Sequence, residues 1–511
     1  MKPYAWQQEC LHAWEAVRFR GIAHVVTGAG KTFLASNAID LYLSRFPDAR
    51  IKIVVPTIPL ARQWQLSLLH HFDDPLLRPG FFGGGVRSSP DQRVMIYIIN
   101  SARDTLSQHI RRDFSLGYHV LLICDECHHC QSPQNRHIFD FTSSSFASGK
   151  QYASLGLSAT PFGTADDDIL RHALGPEIYR YDVASALSDG IVSPFSVCEV
   201  AVSFLPKERI EYDQLSRDLV LLLEKLLKAY PELKKLPPSA FLKAVTKIAS
   251  TAGMDPENIA VAFLLKTWKR KEISTLAFSR ILCAISLIER LPENERILIF
   301  CERISQAEQA ALALRKKFGN ICSLYHSKMT HEARVRNLSA FRSNQVRILV
   351  SCRCLDEGID VPDATVGIVL SSSAVTRQRI QRLGRILRRS EGKESATLYY
   401  LYIQESADNP SFLPGLEAEK AIPLRFRTPE QDFENDLYLY AANCLMQESR
   451  QAGYTDSQLR ELRSCLLEGL VRPDYLLPVD IQTKQAAQAA SRHERNYWLA
   501  MKKLSDFFSK S

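Results

Sequence analysis

Short apolar runs recur through the first part of the chain, and each is followed by a polar loop. These runs have the length of buried strands, and they are Ile22–Val26, Ile51–Val55, Val94–Ile99, His119–Cys124 and Tyr152–Leu157. Segments of helical period lie between them, including Phe33–Phe46 and Leu60–His71. This alternation favours a parallel sheet with its polar loops at the carboxyl ends of the strands. Ligands bind at that edge in such folds, so we expect functional side chains there.

The pattern changes between about Leu205 and Leu291. Apolar residues now recur with a helical period, in Val220–Leu227, Ala240–Ile248, Ile259–Trp268 and Leu276–Ile288. Prolines interrupt the pattern at Pro231, Pro237, Pro238 and Pro256. We interpret this stretch as a helical insertion.

Strand and helix alternation resumes after the insertion, in Arg296–Phe300, Val346–Ser351, Thr365–Leu370 and Thr397–Tyr402. Beyond about Ser406, a proline-containing loop precedes three helical segments: Phe433–Met446, Asp456–Leu467 and Gln482–Phe508. The pattern therefore predicts an α/β protein with four parts. They are a parallel-sheet lobe over residues 1–204, a helical insertion over 205–291, a second lobe over 292–405 and a helical C-terminal region over 406–511.

Composition agrees with a globular protein of several domains. The chain has 511 residues, of which 46% are hydrophobic and 23% charged, and its formal net charge is +8. A chain of this length exceeds what a single core supports. It has no apolar run long enough to span a membrane, and the segment Met1-Lys2-Pro3-Tyr4 has no secretory core, which predicts a cytoplasmic or, in a eukaryote, nuclear location. The mild positive charge permits a polyanionic partner without demonstrating one.

The segment Thr27-Gly28-Ala29-Gly30-Lys31-Thr32 follows the first apolar run and precedes a helix. This layout is typical of a loop that binds phosphate. Gly28 and Gly30 let backbone N–H groups surround phosphate oxygens, and the helix N-terminus adds partial positive charge. Lys31 would reach the β- and γ-phosphates, and the Thr32 hydroxyl would bind Mg²⁺.

The match to the phosphate-loop pattern has one departure. The strict form GxxxxGK[ST] requires glycine six residues before the lysine, where this chain has Val25. A turn that merely happens to be rich in glycine is the alternative interpretation.

Asp125 and Glu126 follow a short apolar strand. In a nucleotide site, Asp125 would hold Mg²⁺ and Glu126 would orient and deprotonate the attacking water. The alternative is an acidic loop whose charges are solvated. The surrounding segment, Cys124-Asp125-Glu126-Cys127-His128-His129-Cys130, also contains zinc-type ligands, but no second ligand pair at structural-zinc spacing accompanies it. The nucleotide interpretation is the stronger one.

These motifs are part of an ordered series that resembles the DExH-type helicases of superfamily 2, in particular the bacterial and phage group related to DNA-repair and restriction translocases. The series spans about the first 400 residues without the insertion: Gln7, Thr27–Thr32, Pro56-Thr57, Asp125–His128, Ser158-Ala159-Thr160, Asp356-Glu357-Gly358-Ile359-Asp360-Val361-Pro362 and Gln381-Arg382-Leu383-Gly384-Arg385-Ile386-Leu387-Arg388. The family tolerates the relaxed position held here by Val25. The resemblance implies two RecA-like lobes with ATP and Mg²⁺ in the cleft between them.

The resemblance also implies further nucleotide contacts. Gln7 would read the adenine edge, with Gln8 as the neighbouring alternative, and Tyr4 or Trp6 could stack on the base or lie in the core. Residues of the second lobe would complete the site: Gly358, Asp360 and Gln381 as lining residues, with Arg385 and Arg388 as arginine fingers. The two arginines lie three residues apart, hence on one face of a helix. A solvated basic face is the alternative for this arginine-rich stretch.

Two further groups of residues follow from the resemblance. One group would couple ATP hydrolysis to the nucleic acid: His128, Ser158 and Thr160. The other would contact the sugar-phosphate backbone: Pro56, Thr57, Asn100, Ser101 and Arg303. Family members usually have glutamine at the position of Asn100.

Two cationic segments outside these motifs contain aromatic residues, Lys266–Lys271 around Trp268 and Arg492–Lys503 around Tyr497 and Trp498. Cations beside stacking surfaces suit single strands or duplex backbone. Ordinary amphipathic helices are the favoured interpretation of both.

We therefore expect an ATPase that moves along or unwinds nucleic acid, with DNA favoured over RNA because the resemblance is to DNA translocases. An RNA helicase with the same motor is one alternative. Another is a motor subunit that acts inside a larger DNA-processing, restriction or phage-defence assembly and contacts its protein partners through the insertion or the C-terminal region.

Overall fold

The computed structural model describes residues 2–143, 151–162, 168–251, 253, 255, 257–352, 364–371, 395–406, 421–428 and 430–510. Two sheets of eight strands each organise this part of the chain, and helices cover them. The predicted α/β class with two largely parallel sheets is confirmed.

The first sheet has the strand order β4-β3-β5-β2-β6-β7-β1-β8, and neighbours run parallel except β3 and β4. Its strands are β1 (Arg20–Val25), β2 (Arg50–Val55), β3 (Gly80–Gly83), β4 (Val86–Arg87), β5 (Val94–Ile98), β6 (Val120–Asp125), β7 (Tyr152–Ser158) and β8 (Glu177–Tyr181). Its helices are α1 (Ala5–Ala16), α2 (Lys31–Arg45), α3 (Ile58–His71), α4 (Ile99–Ala102), α5 (Leu106–Ser115), α6 (Asp168–Leu174) and α7 (Val183–Ser188). Short 3₁₀ segments lie at Pro75–Leu77, Cys127–Gln131 and Asn135–Ser143. All five predicted strands are present.

The second sheet has the strand order β11-β12-β10-β13-β14-β9-β15-β16. Its strands are β9 (Phe195–Val202), β10 (Ile297–Cys301), β11 (Cys322–Tyr325), β12 (Ile348–Cys352), β13 (Val366–Val369), β14 (Ala396–Ile403), β15 (Ala421–Arg427) and β16 (Asp432–Glu434). Helices α12 (Ile304–Phe318) and α13 (His331–Arg342) accompany it. Among the described strands of this second sheet, β15 and β16 pair in antiparallel fashion and the other neighbours run parallel.

Strand β9 corrects the predicted end of the first lobe. It pairs with β14 from Phe195 opposite Ala396 to Val202 opposite Ile403, and with β15 on its other side. The predicted boundary after residue 204 therefore falls one strand too late. The chain enters the second sheet before it forms the helical insertion.

The insertion consists of α8 (Pro206–Ala229), α9 (Pro238–Thr251) and α10 (Ile259–Leu276), with a 3₁₀ segment at Pro231–Lys235. These helices enclose a small core of their own around Leu226, Val245 and Leu264. The next helix, α11 (Phe278–Arg290), buries its apolar face in the core of the second sheet. The predicted insertion, residues 205–291, thus includes one helix that belongs to the second lobe.

The C-terminal region also differs from its prediction as purely helical, because β15 and β16 extend the second sheet before the helices begin. The helices are α14 (Asp436–Gln451), α15 (Asp456–Gly469), α16 (Val479–Gln488) and α17 (Arg492–Lys510), with a 3₁₀ segment at Pro473–Leu476. The predicted helix Gln482–Phe508 is two helices. A reciprocal cap starts the second: the Ser491 hydroxyl accepts from the Glu494 N–H at 3.1 Å, and the Glu494 carboxylate accepts from the Ala490 N–H at 2.8 Å.

A buried arginine connects the insertion to the second sheet. Arg280 is 2% exposed, and its guanidinium donates to the carbonyl oxygens of Ser274 at 2.8 Å, Leu370 at 2.6 Å and Leu401 at 2.7 Å. Ser274 lies at the end of α10, and Leu370 and Leu401 lie in the strand regions of β13 and β14. One side chain therefore fixes the end of the insertion against the carboxyl edge of the sheet.

We expect Arg280→Leu to destabilise the second lobe by about 3 kcal/mol or more, because three buried carbonyls lose a charged donor. Chemical denaturation monitored by circular dichroism would measure the loss. Arg336→Leu is the matched control, since Arg336 is exposed on α13 and should change stability by less than about 0.5 kcal/mol. Equal stability of the two variants would contradict this role of Arg280.

Candidate functional site

The loop after β1 has the backbone geometry of a phosphate-binding loop. Gly28 and Gly30 adopt φ values of 91° and 94°, which favour glycine, and α2 begins at Lys31. Gly30 is the N-cap and has no side chain to accept from the first N–H groups of α2. These N–H groups, which include that of the half-buried Thr32, therefore face the position where an anion would bind. The apolar Val25 is fully buried at the end of β1, so the departure from the glycine pattern lies in the strand and not in the loop.

Gln7 lies directly against this loop. It is fully buried, its side-chain amide donates to the Gly30 carbonyl at 3.3 Å, and its side-chain oxygen accepts from the Tyr4 N–H at 2.9 Å. A Cβ at Gly30 would lie 3.1 Å from the Gln7 amide nitrogen, so any larger residue would crowd the Gln7 side chain. Adenine recognition by Gln7 stays a prediction.

The two aromatic candidates for base stacking differ in position. Trp6 is buried and stacks on Tyr181, with ring centroids 4.6 Å apart and an interplanar angle of 12°. Tyr4 is half exposed beside the start of α1. Trp6 therefore belongs to the core, whereas the Tyr4 ring is accessible, and its stacking on the base stays a prediction. Gln8 is exposed, and its amide donates to the Pro3 carbonyl at 3.2 Å.

Strand β6 brings the acidic pair to the same sheet edge. Lys31 Nζ lies 3.1 Å from Glu126 Oε1, and both side chains are largely buried. Glu126 has φ +48° and ψ +49°, a left-handed conformation that is costly for a residue other than glycine. Backbone strain of this kind concentrates at functional sites, and here it turns the Glu126 carboxylate towards the phosphate loop.

Asp125 is held by two hydrogen-bond donors. Trp64 Nε1 donates to Asp125 Oδ2 at 2.7 Å, and the Glu126 N–H donates to Asp125 Oδ1 at 3.0 Å. Burial and the neighbouring Glu126 charge raise the pKa of Asp125 from 3.8 to about 6, although Lys31 and the Trp64 hydrogen bond oppose the shift. Asp125 is buried, Glu126 is largely buried, and Lys31 pairs with Glu126. A divalent cation would neutralise the remaining negative charge of such a carboxylate pair.

The raised pKa gives a prediction for stability. Because the folded protein holds the Asp125 proton more tightly than the unfolded chain, the stability from protonation is present below pH 4 and is lost as the pH rises through about 6. Asn at this position carries no charge at any pH. Two pKa units correspond to about 2.7 kcal/mol, and one lost acceptor costs about 1 kcal/mol. We expect Asp125→Asn to raise the stability of the ligand-free protein by about 1–2 kcal/mol at pH 8, while abolishing turnover.

Urea unfolding at pH 8 and pH 4 would test this expectation, with the exposed Asp91→Asn as a control. The stabilisation by Asp125→Asn should shrink or reverse at pH 4. A variant less stable than the wild type at pH 8 would contradict the assigned burial cost.

The three predicted coupling residues lie together. His128 Nδ1 is 2.9 Å from Ser158 Oγ and 3.4 Å from Glu126 Oε2. Ser158 Oγ also accepts from the Thr160 N–H at 3.0 Å. A continuous series of contacts thus joins Lys31, Glu126, His128 and the Ser158–Thr160 segment.

The zinc-type ligands around this site are packed as apolar groups. Cys124, Cys127 and Cys130 are buried within one hydrophobic cluster, and burial raises the pKa values of Cys124 and Cys127 well above their ordinary value. The described residues hold no group of His, Cys, Asp or Glu arranged to bind a metal ion by protein side chains alone.

Residues predicted to contact nucleic acid lie at the carboxyl edges of the sheets. Pro56 and Thr57 follow β2, and Thr57 caps α3 by accepting from the Leu60 N–H at 3.4 Å. Asn100 and Ser101 follow β5 and are exposed; Asn100 Oδ1 accepts from Arg103 at 2.7 Å. In the second lobe, Arg303 is half exposed at the start of α12. Their contact with a strand stays a prediction.

The two cationic segments outside the motifs differ in the exposure of their aromatic rings. Lys266 and Lys269 form ion pairs with Asp218 and Glu211, although Trp268 is half exposed. In α17, Tyr497 and Trp498 are 1% and 7% exposed, and their rings form part of the second-lobe core. The interpretation of these two rings as stacking surfaces is therefore wrong, and the amphipathic-helix interpretation fits α17.

Five site predictions lie outside the described residues: Gly358, Asp360, Gln381, Arg385 and Arg388. Their assignment to the site depends on the sequence motifs.

Two contacts that the motifs did not indicate are Trp64 to Asp125 and His24 to Ala159, the latter at 2.9 Å. A histidine inside an otherwise apolar strand was the available signal for the second.

Family comparisons match both lobes. Residues 1–163 match the family described as type III restriction enzyme, res subunit, and residues 279–390 match the helicase conserved C-terminal domain. No helix in the described part of the chain has the length and apolarity needed to cross a bilayer.

Named relatives extend over most of the chain. The DNA 3'-5' translocase XPB2 of Sulfurisphaera tokodaii is 30% identical over 79% of this chain and 82% of its own length. Putative helicase 22 of a Sulfolobus islandicus filamentous virus is 23% identical over 77% of this chain and 63% of its own. The putative DNA 3'-5' helicase Rad25 of Haloarcula marismortui is 26% identical over 71% of this chain and 46% of its own.

Solved structures share the fold. The Pyrococcus furiosus Hef helicase domain has a TM-score of 0.51 and 18% identity, and the alignment covers 79% of this chain and 96% of that one. The DNA-bound type ISP restriction-modification enzyme LlaBIII has a TM-score of 0.55 and 14% identity over 97% of this chain and 37% of that one. The family is identified by the ordered motifs, the two matching domains and the relationship to a named translocase over most of both chains. The chain therefore belongs to the superfamily 2 helicases and translocases, which are ATP-driven enzymes.

Proposed function

We propose that this protein hydrolyses ATP to drive its own movement along DNA. The observation that carries the proposal is the ion pair of 3.1 Å between Lys31 and Glu126, with the perturbed Asp125 beside it. Lys31 is paired with the group that we assign as the base. Triphosphate binding would draw Lys31 to the phosphates and release Glu126 to orient the attacking water.

The donor set at this position fits a magnesium ion. Thr32 offers a hydroxyl and Asp125 a carboxylate, which are the hard oxygen ligands that Mg²⁺ prefers. A magnesium ion bound there would supply charge that neutralises the developing negative charge on the phosphates. The carboxylate of Asp125 is ionised above a pH of about 6 and can then serve as a ligand.

Movement requires the second lobe. We propose that Arg385 and Arg388 reach the γ-phosphate when the lobes close, and that Gly358, Asp360 and Gln381 line the same cleft. Tyr4 and Gln7 would hold the adenine. Repeated closing and opening would then shift the lobes along a strand held by Pro56, Thr57, Asn100, Ser101 and Arg303. The contacts of His128 with Ser158 and Glu126 support a route from hydrolysis to that strand.

The relatives favour DNA as the substrate, since two of them are named for action on DNA. An ATPase assay at matched salt, with single-stranded, duplex and forked DNA and with RNA, would test this choice. We expect DNA to stimulate turnover most. Stronger stimulation by RNA would favour the RNA helicase alternative. A cytoplasmic location stays a prediction from the sequence.

A subunit role is the second candidate. In the restriction-modification enzyme of similar fold the aligned part is 37% of that chain, so this fold occurs there as one part of a longer protein. That likeness is one of fold. If the purified chain had no ATPase activity with any nucleic acid but gained it with a partner protein, the subunit role would replace independent translocation.

A further inference from the structure

One histidine lies where β1 would be expected to carry an apolar residue. Strand β1 reads Arg20-Gly21-Ile22-Ala23-His24-Val25. Ala23 and Val25, the neighbours of His24 in the strand, are fully buried. The imidazole is half-buried, and Nε2 lies 2.9 Å from the carbonyl oxygen of Ala159. His24 therefore joins the strand that leads into the phosphate loop to a residue between Ser158 and Thr160.

The contact fixes the protonation of the ring. Because a carbonyl oxygen only accepts, Nε2 must carry a proton. Nδ1 faces Glu177 Oε2 at 3.8 Å, and Glu177 is itself paired with Arg180 at 2.8 Å. Burial, Arg180 and Lys31 lower the pKa of His24, with burial the largest cause, while Glu177 and the Ala159 carbonyl raise it. The net shift is downward from 6.5, so the neutral Nε2–H form makes this contact at pH 7.

The position of His24 in the sheet places it beside the end of β7, which carries Ser158. His24 is in register with Ser158 on the adjacent strand β7, so both side chains project from the same face. The Ser158 hydroxyl contacts His128 at 2.9 Å. The segment after β7 is thus held on one side by the DExH motif through Ser158 and on the other by the strand of the phosphate loop through Ala159.

We propose that His24 is a positioning residue that holds the Ser158–Thr160 segment against the phosphate-loop strand, so that nucleotide binding at Lys31 changes the contact with the nucleic acid. The inference rests on the proposed function. Valine or isoleucine would satisfy the strand without a polar group to pair. His24 departs from the apolar pattern of the strand, and its polar group is paired with the carbonyl of a motif residue, Ala159. Such departures are expected at functional positions.

The test compares His24→Val with His24→Gln. Valine keeps the strand propensity and removes the donor, whereas the glutamine amide can still donate to the Ala159 carbonyl. We would measure kcat and KM for ATP without nucleic acid, kcat with saturating single-stranded DNA, and the thermal melting temperature. His137→Val, at an exposed position, is the matched control.

We expect His24→Val to keep the basal kcat and the KM within about twofold and to lose about tenfold in DNA-stimulated kcat, a coupling loss of about 1.4 kcal/mol. His24→Gln should recover most of the stimulation. If His24→Val is stimulated as strongly as the wild type, the inference fails while the proposed function stands. Parallel loss of basal activity and melting temperature in both variants would also overturn it, because that result indicates a scaffold role. A wild type without any ATPase activity would overturn the inference together with the proposed function.

Discussion

Glu126→Gln should lower the kcat of ATP hydrolysis by at least about 100-fold, because a positioned general base contributes about 10²- to 10⁴-fold. Glutamine keeps the size and the hydrogen-bonding reach of the side chain but cannot take a proton from water. ATP binding should stay equal or become tighter. Lys31 Nζ lies 3.1 Å from the Glu126 carboxylate. A neutral amide would attract the lysine less strongly when phosphates compete for it.

The same substitution should change the neighbouring Asp125. The Glu126 charge is the second largest cause of the raised pKa of Asp125, after burial. Without that charge the pKa of Asp125 falls towards 3.8, and Mg²⁺-dependent ATP binding should persist to lower pH than in the wild type. Equilibrium binding of a fluorescent ATP analogue between pH 5 and pH 8 would measure both effects.

Glu15→Gln is a suitable control, because Glu15 also pairs with a cation, Arg45, at 2.8 Å but lies at the far end of α1. It should leave kcat within about twofold, as expected of a surface pair. If Glu126→Gln retained most of the wild-type kcat, Glu126 would not be the base.

The sheets illustrate which parts of the fold a sequence discloses. The central strands β5 and β6 are almost entirely apolar, and β2 and β7 are largely apolar, because parallel strands buried on both faces have this composition. Strand β8 contains Glu177 and Arg180 and was not predicted, since an edge strand can expose polar side chains. The sheet to which β9 belongs depends on pairing with residues about 200 positions later, which no local pattern records.

The candidate site divides in the same way. Gly28, Gly30, Lys31, Asp125 and Glu126 could be selected from the sequence because their backbone and charge requirements fix both residue type and spacing, and their roles stay predictions. The contacts of Trp64 with Asp125 and of His24 with Ala159 join residues 61 and 135 positions apart, and neither has a required spacing. Tyr497 and Trp498 were open to interpretation as stacking residues because an amphipathic helix does not reveal which of its faces the rest of the protein covers.

Arg388→Ala should lower kcat by about 100- to 1000-fold while changing the KM for ATP by less than about threefold, since an arginine finger acts chiefly on the charge of the transition state. Arg385→Ala should behave similarly, because the three-residue spacing predicts one helix face for both side chains. Arg388→Lys should recover little of the loss, because an ammonium group does not reproduce the planar donor geometry of a guanidinium. Steady-state kinetics with saturating DNA would provide both constants.

Arg379→Ala separates this role from the general cationic character of the stretch. Residue 379 is six positions before Arg385, which on a helix places it on a different face. If the arginines serve only to attract the nucleic acid, all three alanine variants should weaken DNA stimulation by similar factors, and more strongly at high salt. A loss in kcat confined to Arg385 and Arg388, and insensitive to salt, is expected only if these two guanidinium groups reach the γ-phosphate beside Lys31 and Glu126.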